Sequence, residues 1–596
     1  MLISNSSASP AGSSLITIEL GLALVTVAVA FCPILRDSQL FDWLAAVERG
    51  FGRLARKRRL AVFIAGALPC TLRLLLLPLS PIPEPYIHDD FSFLLAADTF
   101  AHGRLTNPTP AMWTHFESFH ITLKPTYMSM YFPGQAAVMA AGKVLAGHPW
   151  YGIWATCGLM CASLCWMLQG WLPPSWALLG AVLAGLRLVL FSYWINTYTG
   201  AGALTALGGA LVLGAVPRIR HHFQARDFFW MALGAAILAN SRPYEGLLVC
   251  IPCFVAVAWA VWKDRHLSAF VLVRRSAPAG ALLAATLVFM GYYNYRVFGN
   301  PLTPPYKVNR ETYSAAPYFL WQSIRPVPIY RHRIMSDFYT GSDPRSELAL
   351  FRNETASSVA LVESTFRKLL GWAVFYLNVA LIPPIIMLGR VLLDRRTRFL
   401  VVASGFFAVG LAVEAFFLPH YFAPATALLY ALLLQCMRHL RVGSTAGLFL
   451  ARAIPAVCVL LAGIRVLAQP LNIDITPHEH SSIMLAWYGT SPLGLDRARA
   501  VSQLEQMPGR QLAIVPYSPG HYVNDWVYNH ADIDNSKVVW ARQMDSASDR
   551  KLLEYYPDRR AWLIQPDYDP PKISPYVVNE GFDGQEPRPD HNTGGQ

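Results

Sequence analysis

Charged residues are scarce in this chain. Asp, Glu, Lys and Arg make up 14% of its 596 residues, whereas a soluble domain carries roughly 25%. Apolar residues take their place: 54% of the chain is hydrophobic and the mean hydropathy is +0.33. They fall in runs of about 20, the length at which a helix spans a bilayer. This pattern excludes a soluble globular protein and predicts an α-helical polytopic membrane protein.

Cysteine is missing from the polar segments. All nine cysteines fall in apolar runs, so no disulfide framework is expected. Cys157, Cys161 and Cys165 share one helix face, where packing between helices is favoured over metal binding. A cleavable signal peptide is also lacking, because no positive charge precedes the apolar run 15–35. That run is therefore interpreted as a first membrane anchor.

The formal net charge is +12. In a soluble protein this excess would suggest a nucleic-acid partner, but no nucleic-acid-binding motif is present. Much of the Lys and Arg lies in short loops between apolar runs, where the positive-inside rule predicts the cytoplasm. The basic linker 53–59 is one such loop. The segment that follows the run 60–80 is therefore expected on the outer face.

The apolar runs predict about twelve transmembrane helices and three regions. Residues 1–59 form an anchor helix and a basic cytoplasmic linker, and residues 60–469 form the transmembrane domain. Two outer loops interrupt this domain, at 81–150 (with juxtamembrane helices) and at 298–367. Residues 470–596 are predicted to be a small extracytoplasmic α/β domain with strands near Leu512 and Ala561 and a disordered end from about Gly584. The runs lie near 15–35, 60–80, 151–171, 175–194, 197–217, 228–241, 244–262, 277–297, 368–390, 399–418, 420–440 and 446–468.

The number of membrane crossings between two loops of predicted side, which must be odd or even, constrains this topology further. From an outer loop at residue 89 to a cytoplasmic loop at residue 218 the chain must cross an odd number of times. The weakest candidate, 131–147, carries Gln135 and Lys143 and is therefore predicted to lie on the outer interface. Both flanks of 228–262 are predicted to be cytoplasmic, so the chain must turn on the outer side around residues 241–244.

Two adjacent carboxylates, Asp89 and Asp90, follow the second apolar run on the predicted outer face. Ionisable residues near or inside spans are costly and are functional candidates. The cations are Lys124, Arg187, Arg242 and His420. Three of them have a structural alternative: Arg187 could reach the headgroups, Arg242 could pair with Glu245, and His420 could cap a turn. Together with these cations, Tyr127, Asn196, Glu245 and Tyr421 are candidates for substrate binding.

These residue types suit one kind of chemistry. Cations at membrane depth suit the phosphate of a lipid, which arginine can hold bidentately. A nearby carboxylate suits deprotonation of an attacking hydroxyl. A lipid phosphate leaves readily once its charge is held. Together these groups predict glycosyl transfer from a lipid-linked sugar.

Several short motifs resemble the GT-C glycosyltransferases, in the branch of protein mannosyltransferases and aminoarabinose transferases. That branch carries an acidic pair after its first core helix, a Lys-Pro-Pro and a Tyr-Pro-Pro-Gly element, a Lys/Arg-Pro-Glu-Gly turn and a later Arg-Tyr…Pro turn. The second acid is Asp here instead of the commoner Glu, and His replaces the last Arg. The matching segments are Asp89-Asp90-Phe91-Ser92-Phe93, Lys124-Pro125-Thr126-Tyr127, Tyr131-Phe132-Pro133-Gly134, Ser241-Arg242-Pro243-Tyr244-Glu245-Gly246 and His420-Tyr421 with Pro424.

The resemblance implies a GT-C-like fold and an inverting transferase. It would move a sugar from a polyprenyl-phosphate donor to an acceptor hydroxyl or amine of a glycan, lipid or protein. The reaction would take place on the outer face of a bacterial-type inner membrane. Asp89 would be the general base, and Asp90 would orient it or bind acceptor. No metal-ligand set is assigned from the sequence, although a divalent metal is an option.

Two other functions fit the same residues. A transporter or flippase of lipid-linked sugars would also need a charged cavity, but no internal repeat of the kind common in carriers is present. A non-catalytic membrane subunit of an envelope polysaccharide assembly complex would tolerate loss of the Asp89 carboxylate. Both remain alternatives at this stage.

Overall fold

The computed structural model describes residues 15–33, 39–264, 268–468, 494–519, 521 and 524–577. The start of the predicted C-terminal domain, 470–493, lies outside the described residues, as does the disordered end predicted from about Gly584. The described part is mostly helical, as predicted. Its helices of eight residues or more are Leu15–Phe31, Gln39–Arg56, Arg58–Leu75, His88–Ala101, Pro133–Ala146, Trp150–Leu168, Pro174–Leu188, Gly202–His222, Ala225–Ala239, Pro243–Lys263, Ala269–Phe298, Pro305–Tyr313, Arg333–Thr340, Glu347–Thr355, Ser358–Tyr376, Arg398–Ala412, Thr426–Gly443, Thr445–Ala468, Leu495–Gln506 and Ser546–Tyr555.

Within its described residues, the structure has fewer helices of membrane-spanning length than the sequence has apolar runs. Within the described residues, six helices are long and apolar enough to cross a bilayer, and a seventh span arises if the bent pair Ser358–Tyr376 and Val379–Leu393 is counted as one. Three shorter helices are apolar as well: Thr17–Phe31, Pro174–Leu188 and Arg398–Ala412. The expected total of about twelve is therefore not confirmed. Breaks and turns divide several apolar runs into helices of about 15 residues, or roughly 22 Å.

Two local topology predictions, for the turn at 241–244 and for the run 131–147, can be compared with the helices of the structure. The helix Ala225–Ala239 ends before the expected turn at 241–244 and the helix Pro243–Lys263 begins within it, so the break in the chain is confirmed. Its position on the outer side stays a prediction. The weak run 131–147 forms the helix Pro133–Ala146, bounded by Pro133 in its first turn and by Gly147 with φ +80°. Its 14 residues span only about 21 Å. Its place at the outer interface stays a prediction.

Small residues let the helices of the bundle approach closely. A Cβ on Gly152 would lie 1.9 Å from the carbonyl oxygen of Val138, and one on Gly158 would lie 2.6 Å from Cys70 Sγ. Cys157, Cys161 and Cys165 are fully buried in the same region. They pack between helices as predicted, in the manner common for small residues in membrane bundles.

A small α/β domain follows the bundle, as predicted. Its four strands lie in the order Val538–Arg542, Arg510–Val515, Arg559–Gln565, Lys572–Pro575; the first three are parallel and the last is antiparallel. The strands Val538–Arg542 and Arg510–Val515 are almost entirely buried, which is why they are apolar on both faces, whereas Arg559–Gln565 is only partly buried. The helix Ser546–Tyr555 connects two of them, and Asp545 caps its first turn.

This domain shares a hydrophobic core with the first outer loop. Phe91 stacks on Tyr528, with ring centroids 4.2 Å apart and an interplanar angle of 5°. Leu95 and Tyr127 belong to the same cluster as Leu512 of the sheet. The helix that begins with the two aspartates is thus held between the bundle and the C-terminal domain.

Candidate active site

The helix His88–Ala101 presents Asp89 and Asp90 in its first turn. Carboxylates in this position interact favourably with the unpaired N–H groups and the dipole of a helix N-terminus. Both side chains are buried, with relative exposures of 9% for Asp89 and 1% for Asp90. Their partners nevertheless differ completely, so the two acids cannot have the same role.

Asp90 is occupied by backbone groups. Its Oδ2 accepts from the N–H groups of Tyr86 (3.1 Å) and Ile87 (3.3 Å), and its Oδ1 accepts from Tyr198 N–H (2.9 Å). Burial raises the pKa of Asp90 to about 7, although these three donors act to lower it. Asp90 therefore fixes the start of its helix and joins it to the loop at Tyr198.

Asp89 is surrounded by side chains. Tyr131 Oη (2.5 Å), His120 Nδ1 (2.7 Å) and His88 Nε2 (3.3 Å) all lie against its Oδ1, and Thr199 Oγ1 donates to its Oδ2 at 2.9 Å. Burial alone would raise the pKa of Asp89. His88, His120 and Tyr131 outweigh burial and hold that pKa well below the usual range. Asp89 is thus an ionised carboxylate at neutral pH.

A short hairpin brings His120 and Tyr131 together. The strands Ile121–Thr122 and Met128–Ser129 pair antiparallel, and these two residues lie at their open ends. Ser92 Oγ contacts both His120 O and Ser129 Oγ at 2.7 Å, which locks the hairpin to the aspartate helix. His120 has φ +58°, a conformation that costs free energy for a non-glycine residue. The surrounding contacts hold it in this conformation.

His88, Asp89 and His120 form a group that could hold a metal ion. Their ligand atoms lie within 4.8 Å of one another, and within the described part of the chain no other group of three His, Cys, Asp or Glu does this. Burial lowers the pKa of His88 to about 4, so its imidazole is neutral, as a ligand must be. His88 Nδ1 is buried and has no hydrogen-bond partner among the described residues. Two imidazoles and a carboxylate suit a first-row divalent cation.

The loop 198–200 connects the aspartates to a second set of predicted residues. Tyr198 and Thr199 contact the two carboxylates, and Gly200 O accepts from Arg242 Nε at 3.4 Å. Gly200 has φ +81°, and a Cβ there would lie 2.6 Å from His420 Nδ1. Only glycine allows this approach. Asp89, Arg242 and His420 therefore lie around one stretch of backbone.

Arg242 is already paired. Its Nη1 lies 2.6 Å from Glu245 Oε1; the Glu245 side chain is buried and 12% of the Arg242 side chain is exposed. Its guanidinium lies over the ring of Tyr421, 4.1 Å from the centroid. Tyr193 Oη contacts His420 Nδ1 at 2.7 Å. The ion pair that the sequence left as an alternative for Arg242 is thus present, and it lies next to the aspartate cluster.

Four predicted substrate-binding residues do not join the site. Exposed Lys124 lies over the ring of Trp113, 3.9 Å from its centroid. Tyr127 Oη donates to Asn529 O at 3.0 Å, beneath the C-terminal domain. Asn196 Oδ1 accepts from Arg73, which also donates to the carbonyls of Ser80 and Pro81. The fourth is Arg187.

Arg187 belongs to a buried structural network. It pairs with Glu19 of the first helix at 3.2 Å and donates to the carbonyls of Phe375 and Leu377 at 3.0 and 3.2 Å. Its side chain is 5% exposed. These contacts favour a structural role for Arg187, while donor binding by Arg187 stays an untested prediction. A desolvated arginine is stabilised only where several acceptors surround it, and this position provides them.

Sequence reasoning missed residues that surround Asp89. Tyr131 appeared only as part of a motif, and neither Thr199 nor His120 was among the candidate site residues. Their distances along the chain from Asp89 are 110, 42 and 31 residues, and these are not helical or strand spacings. Arg73 was visible as a charge inside an apolar run, a signal that could have marked it as important.

The second outer loop covers this cluster. Phe338, on the helix Arg333–Thr340, lies edge-on to His88, with ring centroids 5.2 Å apart, and 5.9 Å from the His120 ring. Glu117 accepts from Tyr313 Oη (3.1 Å) and Arg331 Nη1 (3.3 Å) of that loop. The Asp89 cluster is therefore shielded from bulk water on this side.

No protein-family model and no curated protein matches the sequence. The structure resembles several solved structures. An oligosaccharyltransferase from Archaeoglobus fulgidus, solved with Zn and sulfate, has TM-score 0.45 and 10% identity over 85% of this chain and 67% of its own. ArnT from Cupriavidus metallidurans, solved with undecaprenyl phosphate, has TM-score 0.42 and 12% identity over 87% of this chain and 95% of its own. Both are GT-C glycosyltransferases. Because these TM-scores are below 0.5, the function proposed below rests on contacts within the chain.

Proposed function

We propose that the protein is an inverting glycosyltransferase that uses a polyprenyl-phosphate sugar. The observation that carries this proposal is the short backbone link between an ionised carboxylate and a mostly buried guanidinium. Thr199 contacts Asp89, and the next residue, Gly200, accepts from Arg242. A base and a phosphate-binding cation placed this close suit a displacement at a carbon bonded to phosphate.

Arg242 would hold the donor phosphate. Its planar guanidinium can bind two phosphate oxygens at once. Arg242 Nη1 donates a hydrogen bond to Glu245 Oε1. The phosphate would therefore compete with that carboxylate or bind at the remaining N–H groups of the guanidinium. The exchange replaces one anion by another, and the arginine charge stays compensated throughout.

Asp89 would accept the proton of the acceptor. The acceptor oxygen or nitrogen bonds to the anomeric carbon as the bond from that carbon to the phosphate oxygen breaks. The bonding electron pair leaves with the polyprenyl phosphate, and the acceptor proton passes to Asp89. One displacement on the face opposite the phosphate inverts the configuration. The low pKa of Asp89 suits a late proton transfer, because a cation-like transition state makes the attacking hydroxyl acidic.

Asp90 would act as a positioning residue. Its pKa of about 7 is closer to that expected of a general base. Geometry decides against that role, since its oxygens accept from three backbone N–H groups. A divalent cation held by His88, Asp89 and His120 would add positive charge beside the reacting groups.

The proposed reaction takes place on one side of the membrane and has two classes of substrate. The reaction would occur on the outer face of a bacterial inner membrane, with the C-terminal domain on the same side. The donor would be a polyprenyl-phosphate sugar and the acceptor a glycan, lipid or protein. A flippase, or a non-catalytic subunit of a polysaccharide assembly complex, is the competing function.

Single-turnover transfer from a polyprenyl-phosphate sugar, with donor binding measured alongside, tests the proposal. Asp89→Asn keeps the shape of the side chain but is a far weaker base, so transfer should fall by about 10²-fold or more while donor binding persists. Asp496→Asn is the matched control, because Asp496 is exposed and lies far along the chain. Near-full turnover by Asp89→Asn would contradict the proposed role of Asp89 and the glycosyltransferase function that depends on it. Lipid-linked sugar that accumulates in cells lacking the gene would support it.

A further inference from the structure

A cavity of about 330 Å³ lies at the end of the helical bundle remote from Asp89. It is bounded by the turn after the helix Trp150–Leu168, the start of Arg398–Ala412 and the last turns of Thr426–Gly443. The helix Thr426–Gly443 begins beside His420 of the candidate active site. It reaches the cavity at Gln435 and Arg438, up to about 18 Å further along its axis. The two sites are therefore separate.

The cavity carries positive charge without a carboxylate in its lining. Arg396 and Arg438 both line it, and no lining residue is Asp or Glu. Arg438 Nη1 donates to Gln435 Oε1 at 2.8 Å, and no described residue accepts a hydrogen bond from the Arg396 guanidinium. The nearby Asp394 lies 3.9 Å from His439 Nε2. Two guanidinium groups that converge on one space favour an anion there.

The remaining walls of the cavity are apolar and fixed. Trp171 stacks on Phe399, with centroids 5.4 Å apart and an interplanar angle of 4°, and its Nε1 donates to Leu213 O. Leu400 is 1% exposed. A basic rim above an apolar wall, at the end of membrane helices, suits the phosphate and glycerol of a phospholipid.

We propose that this cavity binds the headgroup of an anionic phospholipid in the leaflet opposite the active site. Arg396 and Arg438 would contact the phosphate, and Trp171, supported from behind by buried Leu400, would contact the glycerol and the first acyl carbons. The ligand would join the start of one helix to the end of another, and would stabilise the bundle from that side.

Delipidated full-length protein, titrated with phosphatidylglycerol or phosphatidylcholine and followed by native mass spectrometry, tests this site. Wild type should retain phosphatidylglycerol preferentially. The variant R396A/R438A should bind it about 10-fold or more weakly, since each cation near a lipid surface contributes about 1 kcal/mol, or about 5-fold. R395A is the control, because Arg395 is exposed and does not line the cavity.

Two further arms keep the test decisive. R396K/R438K retains both charges and should still prefer phosphatidylglycerol, which also shows that the arginines are not needed for folding. Equal retention of the two lipids by wild type, or wild-type retention by R396A/R438A, would overturn the site. Inorganic phosphate that raises the thermal stability of wild type as much as phosphatidylglycerol would overturn the lipid assignment.

Discussion

The two adjacent aspartates show how neighbouring residues of one type acquire different roles. Asp90 accepts from three backbone N–H groups, whereas Asp89 meets two imidazoles and two hydroxyls. Successive residues on a helix point about 100° apart, so one faces the backbone of its own loop and the other faces the site. The difference lies in this geometry, and substitution should reveal it.

Asp90→Asn should cost stability more than chemistry. An amide has one oxygen for three donors, and its NH₂ would face an N–H group, so the unfolding free energy should fall by about 1–3 kcal/mol. Asp89→Asn should change stability less and transfer more. Thermal unfolding followed by tryptophan fluorescence, paired with single-turnover rates, separates the two effects. If Asp90→Asn abolished transfer at unchanged stability, the assignment of the pair would be reversed.

The pairing of Arg242 with Glu245 predicts that substitutions of these two residues have opposite effects on the affinity for the donor. Arg242→Ala should weaken the binding of polyprenyl phosphate by roughly 2–4 kcal/mol, and Arg242→Lys should recover only part of it. Glu245→Gln should tighten binding, because it removes the competing anion. Arg333→Ala, at a side chain 66% exposed, is the control. An unchanged dissociation constant for Arg242→Ala would remove Arg242 from the donor site.

The histidine cluster predicts metal retention. Protein purified with added zinc or manganese should keep about one ion per chain, and His88→Ala or His120→Ala should lose it, since three ligands define the site. Elemental analysis measures this without reference to activity. His148→Ala is the control, because His148 lies outside the cluster. Wild type without bound metal after this loading would contradict the assignment.

At the scale of single residues, the ionisable residues of the site could be predicted from the sequence, but the residues that surround them could not. Asp89, Arg242 and His420 could be identified because each is an ionisable residue at the end of an apolar run. The partners Tyr131 and Thr199 could not, because tertiary folding brings them together across long stretches of chain. The carboxylate partner of Arg187 could not be predicted for the same reason, since Glu19 lies 168 residues away.

Among the elements, the first helix is joined to the bundle by a buried ion pair. Arg187 and Glu19 lie 3.2 Å apart, with 5% and 3% of their side chains exposed. The pair links Leu15–Phe31 to Pro174–Leu188, and further arginine donors reach the end of Ser358–Tyr376. The apolar runs predicted the first two of these helices well, but the run 368–390 overlaps only the second half of Ser358–Tyr376, which begins within the predicted outer loop 298–367. Their ends were predicted less well, since prolines and buried charges break the runs.

Arg187→Ala should therefore destabilise the protein without affecting donor recognition. It leaves Glu19 buried and uncompensated, at a cost of about 3–5 kcal/mol. The double variant Glu19→Leu with Arg187→Met should recover part of that loss, because it removes both charges. Thermal unfolding and donor titration of the folded fraction measure the two quantities. Weaker donor binding by the stable double variant would return Arg187 to the donor site.

At the scale of the whole molecule, the C-terminal domain completes the surroundings of the aspartate helix. Tyr528 stacks on Phe91, and Asp98 Oδ2 accepts from Ala531 N–H at 2.9 Å. The sequence predicted the domain and two of its parallel strands. It could not predict this docking, because the apolar residues of the interface resemble those of any core.

Tyr528→Ala should loosen this contact and lower transfer. Loss of a buried aromatic stack costs about 3–5 kcal/mol, and the aspartate helix would lose its cover. Tyr555→Ala, at a residue 40% exposed, is the control. Limited proteolysis of the first outer loop reports the loosening, and single-turnover transfer reports its effect. Equal protection and equal transfer in both variants would mean that the domain does not support the site.

The shared core also sets an order of events during biosynthesis. Tyr127 and the residue it contacts, Asn529, are separated by 402 positions. At roughly 5–20 residues per second, the ribosome needs on the order of 20–80 s to make the chain between them. During that interval the aspartate helix leaves the ribosomal exit tunnel, but Tyr528, which covers Phe91, has not yet been synthesised. A nascent chain would therefore leave the aspartate helix uncovered until the domain that begins at Leu495 has been made and has folded, and premature termination there would leave an inserted protein without this cover.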